Sequence, residues 1–188
     1  MKKEFYKVLE EHPVVIAVKD YEGLEIALEK ESKVIFVLFG NITDISYIVK
    51  KIKDSGKIAI VHVDLIEGLS HREVSAKFIK YTTEADGIIS TKPNIIRAAK
   101  SLNLITVQRF FLIDSLSYTN VLKYIESGDA DTYEVLPGGM TKIISALSKV
   151  SKVPLIAGGL INDKEDVISA LKAGATAISS TNQDIWTL

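Results

Sequence analysis

Short apolar runs of strand length recur along the chain, separated by segments whose apolar positions follow the helical period. Eight such runs are present: Val14–Val18, Val34–Phe39, Ile58–Val63, Gly87–Ile89, Leu104–Gln108, Thr132–Leu136, Pro154–Ala157 and Ala175–Ser179. Between them the spacing predicts helices over Glu22–Lys30, Ile45–Ile52, Arg72–Tyr81, Pro93–Ser101, Leu116–Glu126, Met140–Val150 and Glu165–Ala173. Pro93 suits a first helical turn, where its missing N–H has no intrahelical partner anyway. Asp163 or Asn162 can cap the last helix, and Gly174 follows its end. Strands alternating with helices call for parallel strands joined by crossovers.

The expected architecture is a single α/β domain over residues 1–188, a compact (β/α)8 TIM-type barrel. Sharing 188 residues among eight units leaves little more than a short strand, a short helix and two tight loops for each. After the eighth run only Thr181–Leu188 remain, so the last helix is expected to be truncated. An open doubly wound sheet is the alternative, because periodicity does not show whether the eighth strand pairs with the first.

Composition narrows the partners. Lysine and arginine total 23 against 24 acidic residues, so a net charge of -1 provides no global field for nucleic acid or an anionic membrane. Any contact with a polyanion must come from a local patch. There is no cysteine, which removes disulfides and thiolate metal sites and fits a reducing compartment. The first seven residues carry Lys2, Lys3, Glu4 and Lys7, unlike a secretory signal, and no run approaches the roughly 20 apolar residues of a membrane span. The expectation is a cytoplasmic protein without membrane contact.

In either fold, ligands bind at the carboxyl ends of the strands, and polar residues gather there. Gly158 and Gly159 follow the seventh run, while Ser180, Thr181 and Asn182 follow the eighth. A glycine pair lets backbone approach a ligand, and hydroxyls opening a short final helix complete what resembles a phosphate cradle. The same residues can instead form a tight turn and a cap. On the third run, alternation places Ile58, Ile60, His62 and Asp64 on one face, a candidate pair for catalysis or for a ligand. A third metal ligand at fixed spacing is missing, with Glu67 and Glu134 the nearest choices, so no metal is expected. Glu134 on the sixth run needs a partner if buried; Arg109 and Lys92 are candidates. Ser90, Gln108 and Gly138 complete the polar set. Phe110 and Phe111 can stack on bases or belong to the core.

These stretches resemble the glycerol uptake operon antiterminator regulatory proteins. The matching residues are His62-Val63-Asp64-Leu65-Ile66, Gly87-Ile88-Ile89-Ser90-Thr91, Gln108-Arg109, Phe111-Leu112-Ile113-Asp114, Glu134-Val135-Leu136-Pro137-Gly138, Ala157-Gly158-Gly159 and Thr181-Asn182. The resemblance implies a barrel that responds to glycerol 3-phosphate and acts on leader mRNA, without a cofactor or catalysis. Phosphate would then lie on Gly158, Gly159, Ser180, Thr181 and Asn182. His62, Asp64, Glu67, Ser90, Lys92, Gln108, Arg109, Glu134 and Gly138 would surround the rest of the ligand. The chain departs from that family's pattern at Asn162 and Lys92, where arginine is usual, and at Glu67, where a histidine is. Two of these changes remove positive charge that RNA would use. The alternative function is a barrel enzyme acting on a small phosphorylated polyol or phosphodiester, with Glu134 or Asp64 as base and His62 as acid. Oligomeric state is open.

Overall fold

A computed structural model describes residues 2–188. Eight parallel strands close on themselves in chain order: β1 (Val14–Val18), β2 (Val34–Val37), β3 (Ile58–His62), β4 (Gly87–Ser90), β5 (Ile105–Phe111), β6 (Thr132–Leu136), β7 (Leu155–Gly158) and β8 (Ala177–Ser180). Closure is made by β1 against β8, with Val14 opposite Ile178 and Ile16 opposite Ser180. The open-sheet alternative is therefore set aside. The strands are buried almost throughout, as expected when one face looks into a barrel and the other meets helices.

Seven helices lie between strands: α2 (Tyr21–Leu28), α3 (Ile45–Asp54), α4 (Val74–Thr82), α5 (Pro93–Ser101), α6 (Ser115–Ser127), α7 (Thr141–Val150) and α8 (Lys164–Lys172). Helix α8 starts as expected, with the Asp163 carboxylate accepting from the Asp166 N–H at 2.9 Å. An eighth helix, α1 (Lys2–Glu11), precedes β1 and was not anticipated. Its Phe5 and Leu9, one turn apart, are buried among Val15, Val34, Phe36, Ile60, Ile105, Val107, Ile156 and Ala177. Since those residues come from six strands, they define the barrel interior, and α1 seals it at the amino end of the strands. Among the described residues, no helix is long and apolar enough to cross a membrane.

The chain after β8 departs from expectation. No helix opens at Ser180; a three-residue 3₁₀ turn, Ile185–Thr187, takes its place. Trp186 covers the outside of the wall, donating its indole N–H to the Ser180 carbonyl at 2.8 Å. A single turn has too few aligned peptides to supply a helix field, so any anion site here depends on loop N–H groups.

Candidate functional site

Membership of the interior cluster fixes which side chains look inward. On β5, Ile105 and Val107 belong to it, so Arg109 continues that face while Thr106 and Gln108 face the helices. Arg109 stands opposite Glu134 of β6 in register. The Arg109 Nε donates to Glu134 Oε2 at 2.5 Å, and the Ser179 hydroxyl donates to Glu134 Oε1 at 2.6 Å. Both carboxylate oxygens are thus engaged in the interior. That answers the cost of burying a charge there. The two terminal nitrogens of Arg109 have no acceptor among the described residues.

Gly158 makes this network possible. A Cβ built at this position would stand 2.5 Å from Ser179 Oγ and 2.8 Å from Glu134 Oε1. Its role is to clear space for the Glu134–Ser179 bond. Gly159 differs: its φ of +70° lies in the left-handed region, and the chain turns there over Leu136.

Above the network lies a cavity of about 140 Å³ at the carboxyl end of the strands. Arg109, Glu134 and Ser179 form its floor; Gly159–Asn162 and Ser180–Asn182 form one side, with Ala17, Leu38 and Leu136 supplying apolar wall. The backbone N–H groups of Gly159, Leu160 and Thr181 donate to no described residue. Loop donors beside an arginine with free terminal nitrogens can hold an anion, and Glu134 can accept from a hydroxyl. A larger hollow of about 560 Å³ involves Glu11–Val14, Glu29–Ser32 and Trp186–Leu188. Its first two segments lead into β1 and β2, so it opens toward the amino ends of the strands. Barrel chemistry belongs at the other end, so the smaller cavity is the candidate.

The structure brings together Gly159, Thr181, Asn182, Arg109 and Glu134. It separates others. Ser180 turns its hydroxyl outward to the Ile161 carbonyl at 2.9 Å and accepts from the Asn182 N–H. Ser179, one position earlier and inward, was missed, although strict alternation from Ala177 points to it. Gly138 gives its N–H to the Gly159 carbonyl at 2.9 Å and packs against Ile161, tying the β6–α7 and β7–α8 loops together. Gln108, opposite Ser90 and Tyr133 in the wall, is fully buried with no partner for its amide. Adjacent residues of a strand cannot share a face, so Gln108 and Arg109 do not act on one ligand. Glu67 is exposed, and its backbone pairs with Gly40 and Ile42 instead of reaching the cavity.

His62 and Asp64 are not the pair that alternation suggested. Strand β3 ends at His62, and Asp64 sits on a 3₁₀ turn, Val63–Leu65. Its carboxylate accepts from the Ser90 hydroxyl at 2.8 Å and from the Thr91 N–H and hydroxyl at 2.7 and 2.8 Å, with Lys92 Nζ at 3.7 Å. Asp64, Ser90 and Lys92 therefore fix the β4–α5 loop. Burial acts to raise the Asp64 pKa, but the hydrogen bonds from Thr91 and Ser90 outweigh it and hold the carboxyl below its ordinary value. His62 is buried on the interior face with Nδ1 unpartnered. Burial, reinforced by the positive charge of Arg109, lowers its pKa to about 3, so the imidazole is neutral at physiological pH. Phe110 packs against Tyr124 and Tyr133 as core, whereas Phe111 is half exposed. Among the described residues, no three of His, Asp or Glu converge as metal ligands.

The sequence profile of the glycerol-3-phosphate responsive antiterminator family matches residues 14–186. The uncharacterized protein YgcP of Escherichia coli (strain K12) is 46% identical over 181 residues, spanning 96% of this chain and 95% of that protein. The crystal structure of a glycerol uptake operon antiterminator regulatory protein from Listeria monocytogenes superposes with a TM-score of 0.88 at 30% identity, covering 92% of this chain and 94% of that one. A glycerol uptake operon antiterminator-related protein from Thermotoga maritima gives 0.82 at 30% identity, over 92% and 96%.

Proposed function

Since this chain belongs to the glycerol-3-phosphate responsive antiterminator family, we propose that it is a cytoplasmic single-domain sensor of glycerol 3-phosphate that acts on leader RNA rather than an enzyme. The observation that carries the reading is one cavity joining the free N–H groups of Gly159, Leu160 and Thr181 to the Arg109–Glu134 pair. Phosphate suits the N–H groups and the arginine; the glycerol hydroxyls suit Glu134 and Asn182. Ala17, Leu38 and Leu136 leave room for the carbon skeleton and limit length.

The side chains support binding without turnover. His62 is neutral and outside the cavity wall, Asp64 is occupied by the β4–α5 loop, and both oxygens of Glu134 are engaged. No lysine lines the cavity, which removes an amine nucleophile.

The test is thermal unfolding with millimolar ligands. Glycerol 3-phosphate and inorganic phosphate raise Tm, because a ligand bound only by the folded state stabilises by RT ln(1 + [L]/Kd), about 2.7 kcal/mol at 100 Kd. Glycerol does not. Asn162 is exposed on the cavity rim, so Asn162→Glu leaves the unliganded Tm in place and removes the phosphate response by charge repulsion. An equal shift with glycerol, or none with either phosphate, overturns the site. Steady turnover of glycerol 3-phosphate or a glycerophosphodiester, lost in Glu134→Gln, overturns the non-enzymatic reading.

A further inference from the structure

Between Glu134 and Asp163 the chain carries no aspartate or glutamate, yet it carries Lys142, Lys149 and Lys152. In a chain of net charge -1 this is a local excess of positive charge, and most of it falls on one face. Lys142 and Lys149 are seven residues apart on α7, two turns, so they project from the same side, and both are exposed. Lys172 stands in the last turn of the neighbouring α8. Lys142 and Lys172 line one open hollow of about 560 Å³ with Thr141, Ser145 and Ser169, and no carboxylate lines it.

Ion pairing separates these lysines from the cluster on α3. Lys142, Lys149 and Lys172 form no ion pair with any described residue. The cluster on α3 is spent: Lys50 pairs with Asp54, Lys51 with Glu25 and Lys53 with Asp86. The acidic residues of α8 are Glu165 and Asp166 in its first turn, and Asp166 accepts from the Asn162 N–H at 2.8 Å. Lys152, past the end of α7, faces a different hollow with Glu10.

We propose that the α7–α8 face is where the RNA backbone docks, with Lys142, Lys149 and Lys172 on phosphates and Thr141, Ser145 and Ser169 as neutral donors. This placement rests on the RNA-directed reading above. Charge complementarity selects the partner: spaced, unpaired cations with hydroxyls between them fit a flexible chain of phosphates. The position also suits a sensor. Helix α8 springs from the cavity loop Gly159–Asn162, and α7 from the β6–α7 loop, which is tied to it by the Gly138 N–H on the Gly159 carbonyl.

The experiment selects binders from a random-sequence RNA pool with the full chain, with and without glycerol 3-phosphate, and measures the enriched RNA against a salt series. Counterion release gives a log–log slope near -0.7 per phosphate neutralised on a single strand, so each lysine contributes about fivefold at ~0.1 M salt. Lys142→Gln/Lys149→Gln/Lys172→Gln is expected to weaken binding about 100-fold and flatten the slope by about 2. Lys77→Gln/Lys80→Gln, two exposed positions of α4, changes neither, and matching Tm values show that both variants fold. Enriched RNA that binds the triple variant as it binds wild type overturns the placement while the RNA reading stands. No enriched RNA in either ligand state overturns the RNA reading itself. Binding of anionic phospholipid vesicles through the same lysines, in place of RNA, overturns the choice of partner.

Discussion

Acid should destabilise this barrel through His62 before it reaches most carboxylates. The imidazole is buried on the interior face, and burial, then Arg109, lowers its pKa to about 3 from 6.5, against the pull of Asp64 and with a smaller push from Lys92. The folded pKa lies below the unfolded one, so the unfolded chain takes up a proton that the folded chain refuses. Above pH ~7 the two states agree and His62 has no effect. Between about 6.5 and 3, each unit of acidification removes about 1.4 kcal/mol. From pH ~8 to ~4.5 the loss is about 2.7 kcal/mol, a large share of the 5–15 kcal/mol that typically holds a domain together. Asp64 changes stability with the same sign, but in a more acidic window. Its lowered pKa contributes stability above the unfolded value of 3.8, lost only as pH falls through the folded value. The window from pH ~8 to ~4.5 therefore isolates the histidine. Urea unfolding across it should show the midpoint falling by about 1 M, given a slope near 2–3 kcal/mol/M. His62→Gln keeps a polar group of similar length without the proton, so its midpoint should hold nearly constant. A wild-type midpoint that does not move, or a variant that loses as much as wild type, would mean that His62 does not set the acid response.

The other expectations concern what holds the cavity floor and the barrel's closed end. Glu134→Gln leaves the Arg109 guanidinium buried without a counter-charge and should cost about 3–5 kcal/mol in chemical unfolding, whereas Ser179→Ala, losing one hydrogen bond, should cost about 1. Arg109→Leu/Glu134→Leu should recover most of that stability and still show no phosphate-induced Tm shift, which separates folding from binding. Leu9→Ala, in the helix that seals the interior, should cost about 2–5 kcal/mol; a cost below 1 would mean that α1 does not close the barrel.

β1, β2 and β3 were the most legible strands because each is a nearly continuous apolar run, rich in Val and Ile, as a strand covered on both faces requires. β1 and β6 end where the runs end. β5 runs three residues past its predicted end, because Arg109 looked like the start of a loop and is instead a strand residue neutralised by Glu134. α1 was overlooked because its apolar residues are few among lysines and glutamates. The one-turn spacing of Phe5 and Leu9 was the available signal. Within the site, Gly159, Thr181, Arg109 and Glu134 could be placed from strand ends alone. Asp64 was misplaced because alternation was carried past the end of β3, where the backbone turns. Gln108 was misplaced because a matched motif does not say which of two neighbours faces inward. The apolar wall of Ala17, Leu38 and Leu136 carries no sequence signal distinguishing it from core.

The most direct test of the account is a calorimetric titration of glycerol 3-phosphate into the protein alone, then with a saturating selected RNA. Coupling between two sites is reciprocal and typically amounts to about 5- to 150-fold, so RNA should tighten glycerol 3-phosphate by the factor by which glycerol 3-phosphate tightens RNA. Glycerol should give no binding heat in either case. The same affinity for glycerol 3-phosphate with and without bound RNA, or glycerol binding as well as its phosphate, would contradict a phosphate-responsive regulator of RNA.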